Sequence, residues 1–451
     1  MSRAARPSGA SRPFPRTRLA ARATVIASTA AALAVALASC SDGQVSVKSL
    51  ASPGWSSFGG NAGNTNFAYP EVPDDLALSW SRPTGGPITS PLTISNQSNV
   101  SVTASTADGC NWMVLDQRAG RMNYCKRMRP GVEVQSPLID QFDQTYVGEE
   151  TMFLGWTAGG SIRWRMPVIG VPTSAKFVAP SVVLVATTQG QILLLNTQDA
   201  TFAAPEVRLR ADANPDNAMA GFSDCVTSGP RCGIPAPVAV DVDAQRMYLN
   251  FWPQGAIASQ IRALDYGEAD GKREVREAWH ADIPGGVVGP AAVSADGKTV
   301  YAFSRLGKLV ALHAENGETK WTYDYGDPGF ATLTATPDGL IIPAGPLGGP
   351  LRLLADRGER AEQVWSRDDL KTASLATLTN SGTAWTVVRT GDDTLALTEV
   401  STEDGKTLRM LPLPDAKGFT TGVAVSPKGQ LAVATNIGKV YFFDSKDEIG
   451  R

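Results

Sequence analysis

The feature of this sequence that most constrains its fold is a repeat with a period of roughly 40–48 residues. Three segments align without gaps as a glycine, a polar residue and an apolar run that ends in a polar residue: Gly190–Asn196, Gly307–His313 and Gly438–Asp444. Such a segment is typical of a β-strand entered from a tight turn. With weaker copies included, strands of this type end near residues 115, 155, 195, 264, 312, 354, 400 and 443. Eight repeats of this period predict a propeller or a solenoid.

Each repeat has the pattern of a four-stranded meander. Leu312 is followed by Gly317 and then Trp321, and the turn pair Asn316-Gly317 supplies the positive backbone angle that a tight hairpin needs. Helical periodicity is almost absent, which excludes a helical solenoid. The sequence therefore predicts an all-β, eight-bladed β-propeller of four-stranded antiparallel blades.

Aromatic residues recur at one position of the repeat and are expected to pack neighbouring blades together: Trp80, Tyr124, Trp164, Trp279, Trp321 and Trp365. After the last aligned strand only residues 444–451 remain, too few for a turn and an outer strand. The spare strand Leu76–Pro83 is therefore predicted to complete the last blade and close the ring, which removes an open sheet edge. The one long interval in the repeat predicts an excursion between blades at about 205–236, limited by a disulfide.

The first 39 residues have the pattern of an export signal. Residues 1–22 contain six arginines and no acidic residue, and residues 23–38 form an apolar run too short to span a membrane permanently. The run ends in Leu-Ala-Ser-Cys40, which resembles the lipobox of bacterial lipoproteins, so Cys40 is expected to be lipidated after cleavage. The alternative is ordinary cleavage near Ala38 that leaves a free thiol. The predicted organisation is a signal at 1–39, a flexible tether at 40–53, the propeller at 54–446 and a tail at 447–451.

Removal of the signal takes away six of the 41 basic residues and none of the 44 acidic ones, so the formal charge falls from −3 to −9. An acidic body disfavours nucleic acid and anionic lipid surfaces as partners. Contact with a membrane is therefore expected through the lipid anchor.

Four cysteines remain besides Cys40, an even number that suits disulfides in an exported protein. Three pairings are possible, and the local sequence favours Cys110 with Cys125 and Cys225 with Cys232. A hairpin centred near residues 117 and 118 sets 110 and 125 opposite each other, whereas 225 and 232 enclose a turn-rich loop. Neither spacing is that of a CxxC zinc or redox site.

The segments Trp55–Asn61 and Asn64–Asn66, followed by Trp80 and the tryptophan-bearing repeats, resemble the PQQ-like, quinoprotein-type eight-bladed propellers, and within them the BamB-like lipoproteins. The resemblance covers roughly residues 54–446. It implies the fold strongly and the function weakly, because propellers host enzymes, scaffolds and sensors alike. Enzymes of this family hold PQQ beside calcium and a disulfide between adjacent cysteines. This sequence has no adjacent cysteines, so no cofactor is expected.

Catalytic and metal-binding patterns are sparse. The two histidines, His280 and His313, occupy different blade positions, and neither lies in an HxxxH or HExxH arrangement. Asp241-Val-Asp243 lacks the later glycine and glutamate of an EF-hand and is interpreted as a solvated hairpin tip. No catalytic or metal-ligating residue is predicted. Four tryptophans lie outside the repeat position and are candidates to line a face of the disc, where aromatic residues favour interfaces: Trp112, Trp156, Trp252 and Trp385.

Two classes of function remain. The favoured one is a non-enzymatic lipoprotein that is anchored by Cys40, faces the periplasm or another extracytoplasmic space, and binds or scaffolds protein partners of the bacterial cell envelope. The partner, the binding face and the choice of inner or outer membrane stay open. The alternative is a PQQ-like oxidoreductase or a small-ligand-binding propeller that uses the central channel.

Overall fold

The computed structural model describes residues 47–269, 271–326, 332–344, 348–391 and 394–450. Ser49–Arg451 form one compact unit. The predicted export signal, Cys40, the predicted tether up to residue 46 and the last residue of the predicted tail lie outside the described residues. Among the residues that are described, no helix is long and apolar enough to cross a membrane.

The first half of the described chain contains two leading strands and three blades. The leading strands are β1 (Phe67–Ala68) and β2 (Leu76–Pro83). Blade 1 contains β3 (Thr93–Ile94), β4 (Val100–Thr103), β5 (Trp112–Leu115) and β6 (Met122–Lys126), and a 3-10 turn at Val132–Val134 follows it. Blade 2 contains β7 (Leu138–Ile139), β8 (Thr145–Glu149), β9 (Met152–Trp156) and β10 (Ile162–Pro167). Blade 3 contains β11 (Pro172–Ala179), β12 (Val182–Thr187), β13 (Gln191–Asn196) and β14 (Val207–Arg208).

A short helix, α1 (Phe222–Cys225), precedes the fourth blade. Blade 4 contains β15 (Ala239–Asp241), β16 (Arg246–Phe251), β17 (Gln260–Asp265) and β20 (Arg276–Asp282), with the small hairpin β18 (Glu268–Ala269) and β19 (Lys272–Arg273) inserted before its last strand. Blade 5 contains β21 (Val287–Val293), β22 (Thr299–Ser304), β23 (Lys308–His313) and β24 (Thr319–Asp324).

The last three blades complete the ring. Blade 6 contains β25 (Leu333–Ala335), β26 (Leu340–Pro343), β27 (Leu351–Asp356) and β28 (Ala361–Arg367). Blade 7 contains β29 (Lys371–Thr372), β30 (Thr377–Thr379), β31 (Thr383–Arg389), β32 (Leu395–Ser401) and β33 (Thr407–Leu413). Blade 8 contains β34 (Thr420–Val425), β35 (Leu431–Thr435) and β36 (Lys439–Ser445) together with β2. The predicted eight-bladed, all-β architecture is confirmed.

Strand β2 closes the ring as the sequence predicts. It pairs antiparallel with β36, from Leu76 opposite Ser445 to Pro83 opposite Lys439, and becomes the outermost strand of blade 8. Strand β1 adds to blade 7 in parallel with β30, a pairing that the repeat pattern does not predict.

The burial of each strand follows its place in the blade. Strands β12 and β22, which are the second strands of their blades, are buried along their whole length because other blades cover both of their faces. The outer strand β20 buries only Trp279 fully. Apolar side chains on the inner three strands therefore pack blade against blade, and the outer strand contributes chiefly its repeat aromatic.

The direction of the strands defines two faces of the ring. Each inner strand ends at a turn on one face, which we call the N-terminal face because residues 49–70 lie against it. The connections between blades lie on the opposite face, which also carries the four cysteines and is called the disulfide face. The excursion between blades 3 and 4 reaches this face. Its predicted range includes β14, so the segment outside the blades runs over 209–238.

Candidate interaction faces

The aromatic residues at the repeat position lie at contacts between neighbouring blades. Five indole Nε1 groups donate to the turn before the outer strand of the next blade: Trp80 to Gln117 O at 2.7 Å, Trp164 to Thr197 O at 2.8 Å, Trp279 to Ala314 O at 3.0 Å, Trp321 to Asp356 Oδ1 at 3.0 Å and Trp365 to Thr402 O at 2.9 Å. Tyr124 instead lies against Gly160 of blade 2. One aromatic residue per blade thus links most neighbouring blades.

In four of these turns a glycine makes room for the aromatic ring of the neighbouring blade: Gly120, Gly160, Gly317 and Gly405. Gly120 has φ +61°, and a Cβ there would lie 2.5 Å from a ring carbon of Trp80. Only glycine combines that backbone angle with that approach. The glycine and the aromatic residue of the repeat therefore meet across a blade boundary rather than within one hairpin.

Residues 49–70, which we call the N-terminal collar, follow the inner ends of the blades around the N-terminal face. The collar begins beside blades 2 and 3, where the Ser52 amide donates to Ile139 O at 3.0 Å. It then meets blade 1 through Trp55 and continues to blades 4, 5, 6 and 7. Its carbonyl groups accept hydrogen bonds from successive inner strands: Ala62 O from Val240 N, Gly63 O from Val293 N, Thr65 O from Ala335 N and Asn66 O from Leu378 N.

Two asparagines of the collar are fixed by backbone groups of the inner strands. Asn64 donates through Nδ2 to Ala291 O at 3.1 Å, and Asn66 donates to Leu333 O at 2.8 Å. Both residues are buried and have positive φ angles, 58° and 48°, which asparagine tolerates better than most residues. The motif that carries the family resemblance therefore forms the collar, which is hydrogen-bonded to the inner strands of several blades.

Lys176 on β11 ties blade 3 to the collar. Its side chain is fully buried, and Nζ donates to Ser57 Oγ at 3.0 Å, Phe58 O at 2.5 Å and Asn61 O at 2.6 Å. Burial lowers the pKa of Lys176 well below its ordinary value. Sequence reasoning missed this residue, although a lone charge inside the apolar strand Pro172–Ala179 is a usable signal.

The collar borders an open cavity of about 600 Å³ on the N-terminal face. Its walls are mostly apolar and include Trp55 and Phe67 of the collar and Phe177 of blade 3. Tyr69 is 67% exposed at its rim, and Lys176 is its one charged lining residue among those described. The N-terminal face therefore offers an apolar recess rather than an open channel mouth.

The structure joins Cys110 to Cys125, with their Cα atoms 5.6 Å apart. The predicted register is wrong, because Cys125 lies opposite Met113 and Cys110 precedes β5. The carboxylate of Asp116 accepts hydrogen bonds from the backbone amides of Arg118, Ala119 and Arg121, which shapes the turn. The register also shifts at a bulge between Val114 and Leu115, just before the turn. The disulfide consequently fastens the loop before β5 to the end of β6 on the disulfide face.

The second disulfide joins Cys225 to Cys232 within the excursion, with Cα atoms 5.1 Å apart. The bridged loop is held against blades 4 and 5, since Trp252 Nε1 donates to Ser228 O at 2.6 Å and Arg305 Nη2 donates to Thr227 O at 3.0 Å. The excursion is therefore fixed by its own crosslink and by two neighbouring blades.

Three large apolar side chains project from this part of the disulfide face. Val226 of the bridged loop is 82% exposed, Ile257 of blade 4 is fully exposed, and Leu306 of blade 5 is 61% exposed. Leu306 directly follows Arg305, which binds the bridged loop, and Ile257 lies in the loop that follows Trp252. Exposed apolar side chains on neighbouring, mutually fixed loops are a feature of protein-binding surfaces.

Comparison with known proteins gives relatives along nearly the whole chain. Protein Rv3035 of Mycobacterium tuberculosis is 30% identical over 410 residues, which covers 90% of this chain and 99% of the relative. A family model described as outer membrane protein assembly factor BamB matches residues 259–449. This chain belongs to the PQQ-like, BamB-like propeller family. The outer membrane protein assembly factor BamB of Yersinia pestis is 25% identical over 310 residues, covering 66% of this chain and 68% of that protein.

Solved structures share the fold of this BamB-like chain. BamB from Moraxella catarrhalis has a TM-score of 0.56 at 16% identity, covering 82% of this chain and 99% of that one. A europium-containing methanol dehydrogenase has a TM-score of 0.58 at 12% identity, covering 87% and 98%. Identities this low show the fold alone, and the fold is common to enzymes and other propellers.

The collar of this BamB-like propeller does not fit a quinone site with calcium. Asn64, Asn66 and Lys176 are committed to hydrogen bonds between the collar and the blades, and the two disulfides join cysteines 15 and 7 residues apart rather than adjacent ones. Among the described residues, no group of three or more histidine, cysteine or acidic side chains is placed to hold a metal ion.

The remaining candidates of the sequence take structural positions. His280 Nδ1 lies 2.8 Å from Glu277 on the exposed outer strand β20, and His313 ends β23, so the two histidines are not brought together. The four additional tryptophans are buried rather than exposed on a face, which corrects that expectation: Trp112, Trp156, Trp252 and Trp385. Trp112 and Trp156 pack edge to face across blades 1 and 2 with centroids 5.1 Å apart.

Proposed function

We infer that this chain is an exported lipoprotein, anchored to the bacterial membrane through Cys40, whose propeller is a non-enzymatic binding or scaffolding module for a protein partner in the cell envelope. Two disulfides support an oxidising, extracytoplasmic location. The name of the Yersinia pestis relative, an outer membrane protein assembly factor, supports a role within an envelope assembly.

The observation that carries the proposal is the exposed apolar group of Val226, Ile257 and Leu306 on the disulfide face. Trp252 and Arg305 hold the bridged loop in place by hydrogen bonds. The exposed apolar side chains are therefore already ordered, and binding a partner costs little conformational entropy. Exposed apolar side chains on a face that also carries charge, such as the exposed guanidinium of Arg231 paired with Asp224, suit a folded protein partner.

Site-specific photocrosslinking in the native host tests this proposal. A photoreactive residue is placed at position 226, 257 or 306 of the full chain, and a matched control is placed at Lys406, an exposed polar position on the turn before β33. We expect the three apolar positions to capture the same envelope protein and position 406 to capture none. Equal capture at all four positions, or none at any, would contradict a partner at the disulfide face.

The anchor is tested separately by mass spectrometry of the N-terminal peptide of the mature protein. A lipid-modified Cys40 is expected, and Cys40→Ser is expected to release the protein from the membrane fraction. An unmodified thiol at residue 40 would support ordinary cleavage instead and leave the scaffolding proposal to be judged by crosslinking.

A further inference from the structure

The cavity inside the N-terminal collar has the properties of a ligand site rather than of a packing defect. Its volume of about 600 Å³ lies within the range of small-molecule sites, which are mostly apolar with a few placed polar groups. Exposed Leu50, Tyr69 and Val242 at the edge leave it open to the surface.

One polar group in the wall has no partner. Ser52 lines the cavity with only 4% of its surface exposed, and its Oγ makes no hydrogen bond among the described residues. A buried hydroxyl without a partner costs free energy. Oγ is covered in the observed rotamer, so a ligand oxygen in the cavity would supply the missing bond after rotation about χ1. The neighbouring polar groups are already used, since the three donor positions of Lys176 face Ser57, Phe58 and Asn61.

The charge of the cavity wall further restricts the chemical class of the ligand. Lys176 is the only charged side chain, and no carboxylate is found, among the described residues that line the cavity. An oxygen-bearing head of neutral or negative charge is therefore tolerated, and a cationic head is disfavoured. The rest of the wall is made of aliphatic and aromatic carbon, including Leu138, Phe177 and Val425.

We propose that the collar cavity of this chain binds a single-chain acyl amphiphile, a fatty acid or fatty-acyl ester, with the acyl chain against Trp55, Phe67 and Phe177 and the head oxygen on Ser52 Oγ. This inference rests on the proposed function, because a membrane-anchored chain would have acyl lipids close to its cavity. Leu50 follows Cys40 by ten residues, which reach at most roughly 35 Å when extended, so an anchored chain holds the cavity mouth near the bilayer.

The test uses the full chain with Cys40→Ser, exported and purified in detergent-free buffer, and a palmitic acid that carries a diazirine in its acyl chain. After illumination, we expect saturable labelling of about one probe per chain, mapped by mass spectrometry to residues 50–70 and 176–180. Excess unlabelled palmitate should remove it. A phosphatidylcholine with the same photoreactive chain, presented in vesicles to the wild-type chain, distinguishes a membrane lipid from a free fatty acid.

Three variants make the result specific. Ser52→Ala removes one hydrogen bond and should weaken the probe about two- to tenfold. Ala179→Trp fills the cavity and should abolish labelling of the collar, whereas Ala107→Trp, an exposed alanine on the disulfide face, should leave it unchanged. Thermal melting checks that each variant is folded, and Ser52→Ala keeps the test decisive if Ala179→Trp does not fold.

Labelling from either probe that responds to Ser52→Ala or Ala179→Trp supports the proposal, and the probe that works identifies the source of the ligand. No saturable labelling in the collar, or labelling that both variants leave unchanged, overturns it. Because the Cys40→Ser chain carries no anchor, this outcome is independent of lipidation at Cys40 and of partner capture at the disulfide face.

Discussion

The indole Nε1 of Trp80, on the outermost strand of blade 8, donates a hydrogen bond over 2.7 Å to the backbone carbonyl oxygen of Gln117 in blade 1. The same ring stacks on Phe442 with centroids 5.1 Å apart and covers Gly120. Trp80 therefore joins the two ends of the ring, both within blade 8 and across its boundary with blade 1.

Trp80→Ala is expected to lower the free energy of unfolding by about 3–5 kcal/mol, since it leaves a large cavity and removes the contact that closes the ring. Trp80→Phe keeps an aromatic ring on Phe442 but loses the hydrogen bond, and should cost less. Denaturant unfolding measures both, with the exposed Lys406→Ala as the control. A loss below 1 kcal/mol for Trp80→Ala would show that ring closure does not depend on this side chain.

Lys176→Met is expected to loosen the collar, because Ser57, Phe58 and Asn61 lose their donor. The lowered pKa of Lys176 also fixes the sign of a pH effect. Below its ordinary pKa of 10.5 the unfolded chain binds a proton that the folded chain resists, so the free energy of unfolding of the wild type rises as the pH approaches 10.5.

The measurement is the difference in unfolding free energy between the wild type and Lys176→Met, taken at neutral pH and again near pH 9.5. This difference should grow with pH in favour of the wild type. A constant difference would mean that the folded protein keeps Lys176 protonated across this range.

At higher pH the buried tyrosines should destabilise the fold. Burial raises the pKa of Tyr124, Tyr248 and Tyr325 to about 12, from an ordinary value of 10.0. Their contribution to stability is complete below pH 10 and is lost as the pH rises through 12, because the unfolded chain releases these protons first. Ultraviolet tyrosinate absorbance of the wild type, compared with that of the single variants Tyr124→Phe, Tyr248→Phe and Tyr325→Phe, should therefore show that these three residues ionise late and together with unfolding, and ionisation of any of the three near pH 10 in the folded protein would contradict the prediction.

Removal of the second disulfide should loosen the segment 209–238 without destabilising the blades. Cys225→Ser with Cys232→Ser frees a short loop, for which the chain-entropy model assigns about 2–3 kcal/mol. Because this loop lies outside the blades, we expect limited proteolysis within 209–238 with little change in the melting of the ring. The pair Cys110→Ser with Cys125→Ser, which frees the loop before β5, is the matched control, and equal cleavage of 209–238 in both double variants would refute a local role.

The repeat made the blades predictable, because each blade is built from contacts between residues close in sequence. Counting strands against the eight repeats also identified Leu76–Pro83 as the closing strand, and β2 has these bounds. The collar was not predictable in this way. Asn64 and Ala291 are 227 residues apart, and a glycine- and asparagine-rich segment has no periodicity that indicates its partners.

The predicted register of the Cys110 hairpin was wrong for a different reason. Its turn is set by the carboxylate of Asp116 and by a bulge, and neither follows from the spacing of apolar residues. The burial of Lys176 and the lack of a hydrogen-bond partner for Ser52 depend on how the collar packs against the blades, so neither can be predicted from the sequence.

The collar also fixes an order of events during folding. Residues 49–70 are synthesised before all the blades, yet their partners on blades 4 to 7 lie as far along the chain as Asn380, whose amide donates to Ala68 O. Contacts of such high sequence separation form slowly, since a long loop must close before they contribute any stability. The first residues to emerge are therefore among the last to find their places, and an incomplete chain that lacks blade 7 cannot finish the N-terminal face.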